Sequence, residues 1–250
     1  MKVGYLITAR MKSTRLPKKL TLEINNRQIM RLMIDRVKLA KRVDEVIICT
    51  STNPQDDVLE VIAKEEGIKV FRGHEEDVIQ RLYDACVAND LDYALNITAD
   101  CPLVSFDYID KIIATYEATN ADLIRTLDLP HGFFSYGLKV DALKRVCELK
   151  DDIHTEVWGK YFTETDHFKV HDIQIPEELI RERFRLTLDY PDDYEFFKKI
   201  YAAFGANTPT TPMIQIIEFL DAKPEIVAIN AHLKQSYQKR WDEQSKIKLK

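Results

Sequence analysis

Short β-branched runs alternate along this chain with longer segments whose apolar positions recur at helical spacing. The runs predict strands at residues 3–8, 45–50, 69–72, 93–98 and 122–125. Helices are expected between them at residues 29–40, 58–66, 78–89 and 108–118, the last with Asp107 as its cap. This alternation is typical of βαβ units, and it predicts an α/β fold with a mainly parallel sheet and helices on both faces.

The pattern loosens after residue 125, where Pro130, Gly132 and Gly137 indicate a loop-rich region. Beyond it we expect a helix at 140–149, strands at 169–175 and 184–188, and a helix that begins near Pro191. Residues from 208 onward predict two more helices, with residues 245–250 frayed. We therefore expect an α/β domain over residues 1–205. A helical extension, 206–250, would pack on that domain or on a partner subunit.

Composition narrows the class of protein. The 250 residues are 45% hydrophobic and 31% charged, which is typical of a globular chain with one substantial core. The net charge of -5 disfavours nucleic acid as a partner. Four scattered cysteines without CxxC spacing indicate reduced thiols. With no signal-like start and no apolar run of membrane length, we expect a cytoplasmic protein that does not bind a membrane.

Cations concentrate directly after the first predicted strand. Arg10, Lys12, Arg15, Lys18 and Lys19 fall within ten positions, together with the hydroxyls of Ser13 and Thr14. In a parallel sheet this segment lies at the carboxyl edge, where such folds bind ligands. Backbone N–H groups, hydroxyls and cations together suit a polyphosphate. A solvated basic turn is the alternative, but the position in the fold favours the phosphate site.

Two carboxylates also follow predicted strands. Asp100 lies in ITADCP and Asp189 in LTLDYP. Each Asp alone is more typical of a plain turn before proline. Two of them at corresponding strand ends favour a single cleft, where paired carboxylates and substrate phosphates are the usual ligands of Mg²⁺.

The sequence ARMKSTRLPKK at residues 9–19 resembles the A-R-x-x-S-[TS]-R-L-P-x-K signature of the cytidylyltransferases that activate acylneuraminate and ketodeoxyoctonate. Within that family the chain is most similar to the spore-coat polysaccharide biosynthesis protein F branch. Further similar stretches lie at residues 51–57, 70–73, 77–81, 97–103, 188–193 and 229–232, so the resemblance covers nearly the whole chain.

The resemblance implies the three-layer, Rossmann-like fold of the nucleotide-diphospho-sugar transferases. It also implies an Mg²⁺-dependent transfer of CMP from CTP to a small sugar, sugar acid or phosphorylated acceptor in surface polysaccharide or glycan precursor biosynthesis, with release of pyrophosphate. GTP or another NTP acting on a sugar phosphate is the alternative within the same chemistry. A homodimer formed through the C-terminal helices is a further possibility that the sequence leaves open.

By the same resemblance, Arg10, Lys19 and Asp100 are the expected catalytic residues, and Asp100 and Asp189 hold the metal. The expected nucleotide-binding residues are Ala9, Arg10, Met11, Ser13, Thr14, Arg15, Lys19, Thr50, Ser51, Arg72, Gly73, Asp77, Arg81, Thr98 and Asp100. Competing interpretations stay open for several of them. Arg15 could shape the loop, Thr50 and Ser51 could precede a helix capped by Asp56 or Asp57, and Asp77 and Arg81 could form an i,i+4 pair.

Acceptor recognition is expected in the loop-rich middle. His131, Tyr136 and Lys139 are candidates because an anionic acceptor is expected, although His131 is equally a turn residue beside Gly132. Several positions depart from the family. Lys12 and Lys18 stand where many relatives have glycine, and Thr8 stands where glutamine is common. His154, Glu156 and Trp158 depart from an E-H-V-T-P-Y-like stretch, which leaves the acceptor open.

Other classes are weaker. Neither a Walker motif nor G-x-G-x-x-G is present. Asp90-Leu91-Asp92 spells the D-x-D motif of glycosyltransferases, but it precedes a strand and is expected at the edge opposite the ligand loops. Zinc is not indicated by the spacing of the histidines. A non-catalytic nucleotide-binding or scaffold subunit is the alternative of another class; Lys12 and Lys18 support it, while Arg10, Lys19, Asp100 and Asp189 oppose it.

Overall fold

The computed structural model describes residues 1–234 and 247–250. Its strands are β1 (Val3–Thr8), β2 (Glu23–Ile24), β3 (Arg27–Gln28), β4 (Glu45–Ser51), β5 (Lys69–Gly73), β6 (Tyr93–Thr98), β7 (Leu123–Arg125), β8 (Tyr136–Lys139) and β9 (Val170–Asp172). Seven of them form one sheet in the order β5-β4-β1-β6-β8-β7-β9, and β2 and β3 form a separate hairpin. Within the large sheet β8 runs antiparallel to β6 and β7, whereas β5, β4, β1 and β6 run parallel to one another.

Helices cover both faces of the sheet. They are α1 (Ile29–Val37), α2 (Asp57–Glu65), α3 (Val78–Ala88), α4 (Phe106–Thr119), α5 (Val140–Leu149), α6 (Lys160–Thr163), α7 (Pro191–Phe204), α8 (Met213–Asp221) and α9 (Pro224–Val227). Apolar side chains of α1, α2, α4, α7 and α8 form one core with the strands, and those of α3, α5 and α6 form a second core. Alternate strand residues therefore face opposite helical layers, as Ile7 and Leu6 do. The expected three-layer α/β fold with a mainly parallel sheet is confirmed.

The register of the central strands brings their carboxyl ends to the same edge of the sheet. Thr8 at the end of β1 pairs with Cys49 of β4 and Thr98 of β6. Three parallel strands therefore end together, and the segments that follow them emerge side by side.

Strand β8 lies where the sequence indicated a loop. Gly137 predicts a loop, but it lies within the strand, where a side chain would collide with its neighbours. A Cβ atom at Gly137 would lie 2.0 Å from the hydroxyl of Tyr93 and 2.4 Å from a methyl group of Ile112. This glycine allows close packing within a strand.

The strand expected at residues 184–188 is not part of the sheet. The segment is extended, but it makes only an isolated bridge to His131 through Arg185. Leu186 N donates to His131 O at 2.7 Å, and Leu188 N donates to Asp100 O at 2.8 Å. The predicted strand is therefore wrong, because the backbone partners of this segment are two loops and not a neighbouring strand.

Two further predictions need correction, one about the cap of a helix and one about the C-terminal tail. Helix α4 is capped by Ser105, whose side chain accepts from Tyr108 N, and not by Asp107. The predicted frayed tail spans 245–250, of which 245–246 lie outside the described residues. Residues 247–250 pair with the end of α5: Asp151 N donates to Lys248 O at 2.9 Å, and Lys250 N donates to Leu149 O at 3.0 Å.

Part of the C-terminal extension belongs to the main core. Met213, Ile216, Ile217 and Leu220 of α8 are buried with the residues of α1, α4 and α7. Across the described residues, 1–234 and 247–250, no helix combines the length and apolar character needed to cross a membrane.

Candidate active site

A cleft of about 490 Å³ opens at the carboxyl ends of β1 and β6. Its lining includes Ala9, Arg10, Lys12, Ser13, Thr14, Arg15, Lys19, Glu76, Thr98, Asp100, His131, Phe134, Tyr136, Glu156, Trp158 and Asp189. The cation-rich segment thus faces both predicted acidic residues across one cavity. Parallel sheets bind ligands at this edge, so the cleft is the candidate active site.

The loop after β1 is held in shape by local bonds. Asp56 is fully buried, and its Oδ1 accepts from Met11 N at 2.7 Å. Lys18 adopts φ 58°, the left-handed conformation that glycine favours, so the glycine that the family resemblance implies at this position would suit the same backbone. Lys12 has no positive φ, and its ammonium contacts Glu75 at 3.3 Å and Glu76 at 3.1 Å. The loop therefore accommodates both lysines, one in a left-handed conformation and one paired with acidic side chains.

Lys19 joins the two carboxylates. Its Nζ lies 2.8 Å from Asp100 Oδ2 and 3.0 Å from Asp189 Oδ1. Burial alone would lower the pKa of Lys19, but the charges of Asp100 and Asp189 outweigh it and raise that pKa above its usual value. The second oxygen of Asp100 accepts from Thr98 Oγ1. The geometric expectation that the loop and both carboxylates converge is therefore met.

Asp189 is surrounded by cations. Arg15 lies 2.7 Å from its Oδ1, and Arg185 lies 2.9 Å from its Oδ2. Burial alone would raise the pKa of Asp189, but Lys19, then Arg15 and Arg185, outweigh that effect and hold the pKa well below its usual range. Arg15 is thus placed both to shape the loop, through Asp189, and to face the cleft.

A buried network behind Asp189 uses two of the sequence stretches that carry the family resemblance. Asp193 Oδ2 accepts from Asp189 N at 2.9 Å, and Asp193 Oδ1 accepts from Arg185 Nε at 3.0 Å. Asn230 Nδ2 donates to Asp193 Oδ1 at 2.9 Å and to Arg185 O at 3.0 Å. The stretch at residues 229–232 thus helps to position Asp189 from outside the cleft.

Arg10 is held by acidic partners at the opposite wall. Its guanidinium lies 3.5 Å from Glu76 and 3.0 Å from Glu156, and it donates to Glu75 O at 3.0 Å. Glu156 is one of the residues that depart from the family pattern. Both Glu156 and Arg10 line the cleft, so Arg10 has a partner before any phosphate binds.

Several expected nucleotide contacts lie behind the cleft wall. Thr50 and Ser51 are fully buried, and Ser51 Oγ donates to Asp56. Arg72 Nε donates to Ser51 O at 2.9 Å, and Gly73 pairs with Ser51 in the sheet. The side chain of Met11 packs against the core. None of these five residues lines the cleft, so the structure places them in its support, and direct contact with a nucleotide stays a prediction.

Asp77 and Arg81 lie behind the wall of the cleft, and each bonds to partners other than the i,i+4 pair that the sequence left as the alternative. Asp77 caps α3 through Gln80 N at 3.2 Å and bonds to Lys150 and Thr155. Arg81 is fully buried and donates to His74 O and Glu75 O. Neither side chain lines the cleft, so a base contact stays a prediction. Arg81 holds the backbone at residues 74–75, and Glu75 in turn contacts Arg10 and Lys12.

Of the three acceptor candidates, two lie in the cleft. His131 and Tyr136 line it, whereas Lys139 pairs with Tyr93 at the beginning of β6, the far end of the sheet. Lys139 Nζ donates there to Asn120 at 3.1 Å, so an acceptor role for Lys139 was wrong. Burial, and next the charge of Arg185, lowers the pKa of His131 to about 4. His131 is therefore neutral near pH 7.

The D-x-D string lies at the edge opposite the cleft, as expected. Asp92 Oδ2 accepts from Lys2 N at 2.6 Å, next to the beginning of β1. No step at the cleft can therefore use this carboxylate.

The donor set of the cleft fits Mg²⁺. Asp100 and Asp189 are near enough for a single ammonium to contact both. No group of three His, Cys, Asp or Glu side chains suited to a metal occurs within residues 1–234 and 247–250. Mg²⁺ commonly uses one or two carboxylates, with waters and substrate phosphates as its other ligands, and two carboxylates meet that need.

Sequence reasoning overlooked part of the site. Glu76 and Phe134 line the cleft without being predicted as site residues, and Asn230 supports it although the sequence marked its stretch only for its resemblance to the family. Glu76 follows the matched stretch at 70–73 and precedes Asp77, so a charged pair before a helix was the available signal. Phe134 lay in the supposed loop, and only its place just before β8 puts it in the wall.

The family expected from the sequence is confirmed by comparison with known proteins. The cytidylyltransferase family model matches residues 5–245. An uncharacterised protein of Methanocaldococcus jannaschii is 32% identical over 245 residues, which cover 97% of this chain and 100% of that protein. Spore coat polysaccharide biosynthesis protein SpsF of Bacillus subtilis is 28% identical over 228 residues, with 88% and 95% covered.

A solved structure agrees with these sequence matches. A cytidylyltransferase from Leptospira borgpetersenii superposes with a TM-score of 0.83 at 29% identity, covering 91% of this chain and 97% of that one. The family match extends from β1 through the loop after it, the cleft and the segment that carries Asp189. On that match over almost its whole length, this chain belongs to the cytidylyltransferase family.

Proposed function

We propose that this protein transfers CMP from CTP to a small sugar, sugar acid or phosphorylated acceptor and releases pyrophosphate. The observation that carries the proposal is the contact of Lys19 with both Asp100 and Asp189 at the end of a cation-rich loop. Nucleotidyl transfer needs alignment and charge neutralisation at the reacting phosphate more than covalent help, and this cleft is built from groups that do both.

The proposed role of each residue follows from its position in the cleft. Arg10 and Lys19 neutralise the β- and γ-phosphates, while Arg15 and the Ser13 and Thr14 hydroxyls lie beside them along the same loop. The acceptor oxygen forms a bond to the α-phosphorus as the bond from that phosphorus to the bridging oxygen of the β-phosphate breaks. Pyrophosphate leaves with the bonding electron pair, and the cations stabilise its charge.

Asp100 and Asp189 would hold Mg²⁺, which when bound supplies positive charge at the reacting phosphates. Lys19 would then exchange its carboxylate partners for phosphate oxygens. We propose the preference for cytidine and the pathway from the similarity of this chain to known proteins. The family description supports CTP, and the role of SpsF in spore coat polysaccharide biosynthesis supports a surface glycan precursor.

The test measures pyrophosphate release with CTP, GTP, ATP and UTP, each with a panel of sugars, sugar phosphates and sugar acids, with and without Mg²⁺. We expect release with CTP and Mg²⁺, and a fall of about 100- to 1,000-fold in kcat for Asp100→Asn, because one of two carboxylates at the reacting phosphates is lost.

The matched control is Asp92→Asn, the same change at the far edge of the sheet. This variant should keep the full rate. Undiminished release by Asp100→Asn would remove Asp100 from the catalytic machinery. A loss of pyrophosphate release in Asp92→Asn but not in Asp100→Asn would favour the glycosyltransferase-like interpretation instead.

A further inference from the structure

A turn at residues 74–77 connects β5 to α3 and forms one side of the cleft, which Glu76 lines. Glu75 O accepts from Arg10 Nη1 at 3.0 Å, and Glu76 lies 3.5 Å from the same guanidinium. Lys12 Nζ lies 3.3 Å from Glu75 and 3.1 Å from Glu76. The turn therefore holds the first two cations of the loop after β1.

The side chain of His74 closes this turn. Its Nδ1 accepts from Glu76 N at 3.2 Å and from Asp77 N at 3.0 Å. An imidazole nitrogen that accepts a hydrogen bond carries no proton, so His74 is neutral in this arrangement, with its proton on Nε2. His74 thus has the role that Asn or Asp commonly has in turns, where a side-chain oxygen accepts from backbone N–H groups further along the chain.

The imidazole can exchange its proton with water, because His74 is exposed. The backbone of the turn is held from α3, where Arg81 donates to His74 O and Glu75 O. On or beside the turn lie these charged and titratable groups: Glu75, Glu76 and Asp77 on the turn itself, Arg10 and Lys12 after β1, Arg72 on β5, Arg81 on α3, and Lys150, His154 and Glu156 after α5.

Resting on the proposed function, we infer that His74 is a positioning residue for the nucleotide and that it makes nucleotide binding sensitive to pH. With a neutral imidazole, the turn offers Glu75 O to Arg10 and keeps that guanidinium beside the triphosphate site. Histidine is the residue type that ordinarily gains a charge as pH falls from 8 to 5. A proton on Nδ1 puts a donor opposite two backbone donors, so the turn opens and Arg10 loses its carbonyl partner.

The proton on His74 has two opposing effects on a triphosphate. Its positive charge attracts the phosphates, but His74 is exposed and lies outside the cleft lining, so water and salt screen this attraction. The two hydrogen bonds at Nδ1 are lost outright, because a protonated nitrogen has no lone pair left to accept them. Weaker binding of CTP at low pH is therefore the expected result.

Calorimetry with CTP and Mg²⁺ at pH 8 and pH 5 tests this role in the wild type, His74→Asn and His74→Ala. The Asn oxygen accepts the same two N–H groups and does not titrate, so His74→Asn should match the wild type at pH 8. Between pH 8 and pH 5 the wild type should lose about three- to tenfold in CTP affinity relative to His74→Asn. His74→Ala, which has no acceptor, should bind CTP more weakly than His74→Asn at both pH values.

The comparison between variants cancels the titration of CTP itself, because every protein meets the same nucleotide. His167→Asn is the matched control, since His167 is an exposed histidine outside the cleft lining. It should follow the pH profile of the wild type. His131, whose pKa is about 4, stays largely neutral down to pH 5 in all variants.

A measurement without nucleotide separates this inference from the proposed function. In nuclear magnetic resonance spectra, the amide signals of Glu76 and Asp77 should shift together between pH 8 and pH 5 in the wild type. They should stay nearly constant in His74→Asn. Amide signals that behave alike in both proteins would overturn the role of His74.

Parallel pH profiles of CTP affinity in the wild type and His74→Asn would also overturn the inference, and so would tighter binding by the wild type at pH 5. Both results leave CMP transfer in place, because CTP still binds. Failure of CTP to bind at pH 8 would instead remove the proposed function, and with it the nucleotide role of His74, even if both amide signals followed the imidazole.

Discussion

At the scale of single residues, the cleft pairs cations with acids of its own lining. Arg10 contacts Glu76 and Glu156, and Lys19 contacts Asp100 and Asp189. Glu156 stands where the family carries a different stretch, and about 59% of its side chain is exposed. A half-exposed carboxylate competes with phosphate for Arg10 without being essential to the fold.

Glu156→Gln should therefore tighten CTP binding. Exposed ion pairs are worth about 0.2–1 kcal/mol, so release of Arg10 should lower Kd by up to about fivefold. Calorimetry with CTP measures it. Glu164→Gln is the control, because Glu164 pairs with Lys160 at 3.0 Å, outside the cleft lining. Weaker CTP binding by Glu156→Gln would show that the carboxylate helps to orient Arg10.

His131 makes a prediction about acid stability. Its pKa falls from the usual 6.5 to about 4 on folding, chiefly through burial. Because the unfolded chain binds this proton more readily, the stabilisation is complete above pH 6.5 and is lost as pH falls toward 4. Between pH 7 and 4.5 the wild type should lose about 2 kcal/mol more than His131→Gln.

Urea unfolding at the two pH values measures this difference. His167→Gln, a change at an exposed histidine, is the matched control and should behave as the wild type. Equal acid sensitivity of His131→Gln and the wild type would mean that this imidazole stays solvated.

At the scale of elements, the site depends on how the loop at His131 meets the segment that leads to Asp189. Gly132 has φ 111°, and a Cβ atom there would lie 2.1 Å from Leu186 O. Leu186 N donates to His131 O at 2.7 Å, so the two segments touch along their backbones. Only glycine allows both the conformation and the contact.

Gly132→Ala should lower the free energy of unfolding by about 2–4 kcal/mol and reduce kcat, because the segment carrying Asp189 must shift. Gly67→Ala is the matched control. Gly67 also has a positive φ of 64°, but a Cβ there would have no described atom within 4 Å, so the change should cost about 1 kcal/mol and leave kcat unchanged. Thermal unfolding and pyrophosphate release would report both; equal losses would exclude the steric explanation.

Sequence patterns predicted those elements whose own residues carry the signal. β1 and β6 were predicted with the limits that the structure shows, since a continuous apolar run buried on both sides leaves a clear signal. β8 and the extended segment before Asp189 were misjudged, because Gly137 and Arg185 are explained by contacts with residues outside their own elements. Those residues include Tyr93 and Ile112 for Gly137 and Asp193 for Arg185.

The residues of the site differ in the same way, because some are indicated by their own element and others depend on contacts elsewhere in the fold. Arg10, Lys19 and Asp100 line the cleft, and each lies in a segment that follows a strand ending at this edge, which the sequence could indicate. Arg81 and Arg72 carry the same charge but point to backbone carbonyls, and nothing in the sequence indicates that difference. Lys139 was placed wrongly because the direction of β8 was unknown, and an antiparallel strand sends its last residue away from the cleft.

At the scale of the whole molecule, α8 shares the core that supports the cleft. Ile217 is fully buried there, while Ile214 of the same helix is 36% exposed. The network from Asn230 to Asp193 and Asp189 also connects this end of the chain to the site. The C-terminal helices therefore stabilise the domain that carries the chemistry.

Ile217→Ala should destabilise the protein by about 2–5 kcal/mol, because it leaves a cavity in the common core. Ile214→Ala should change stability by less than about 1 kcal/mol. Chemical unfolding followed by circular dichroism and by intrinsic fluorescence should give one coincident transition for both variants. A separate early transition in Ile217→Ala would show that residues 206–234 form an independent unit.

The matching of cations by internal acids has a consequence for how a nucleotide is received. Four carboxylates, Glu76, Asp100, Glu156 and Asp189, accompany the four cations in the described lining of the cleft. Arrival of a triphosphate is thus an exchange of one set of anions for another, rather than adsorption onto a bare cationic surface. The release of salt counterions therefore contributes little to the free energy of triphosphate binding, and the loop already has the shape that the triphosphate needs.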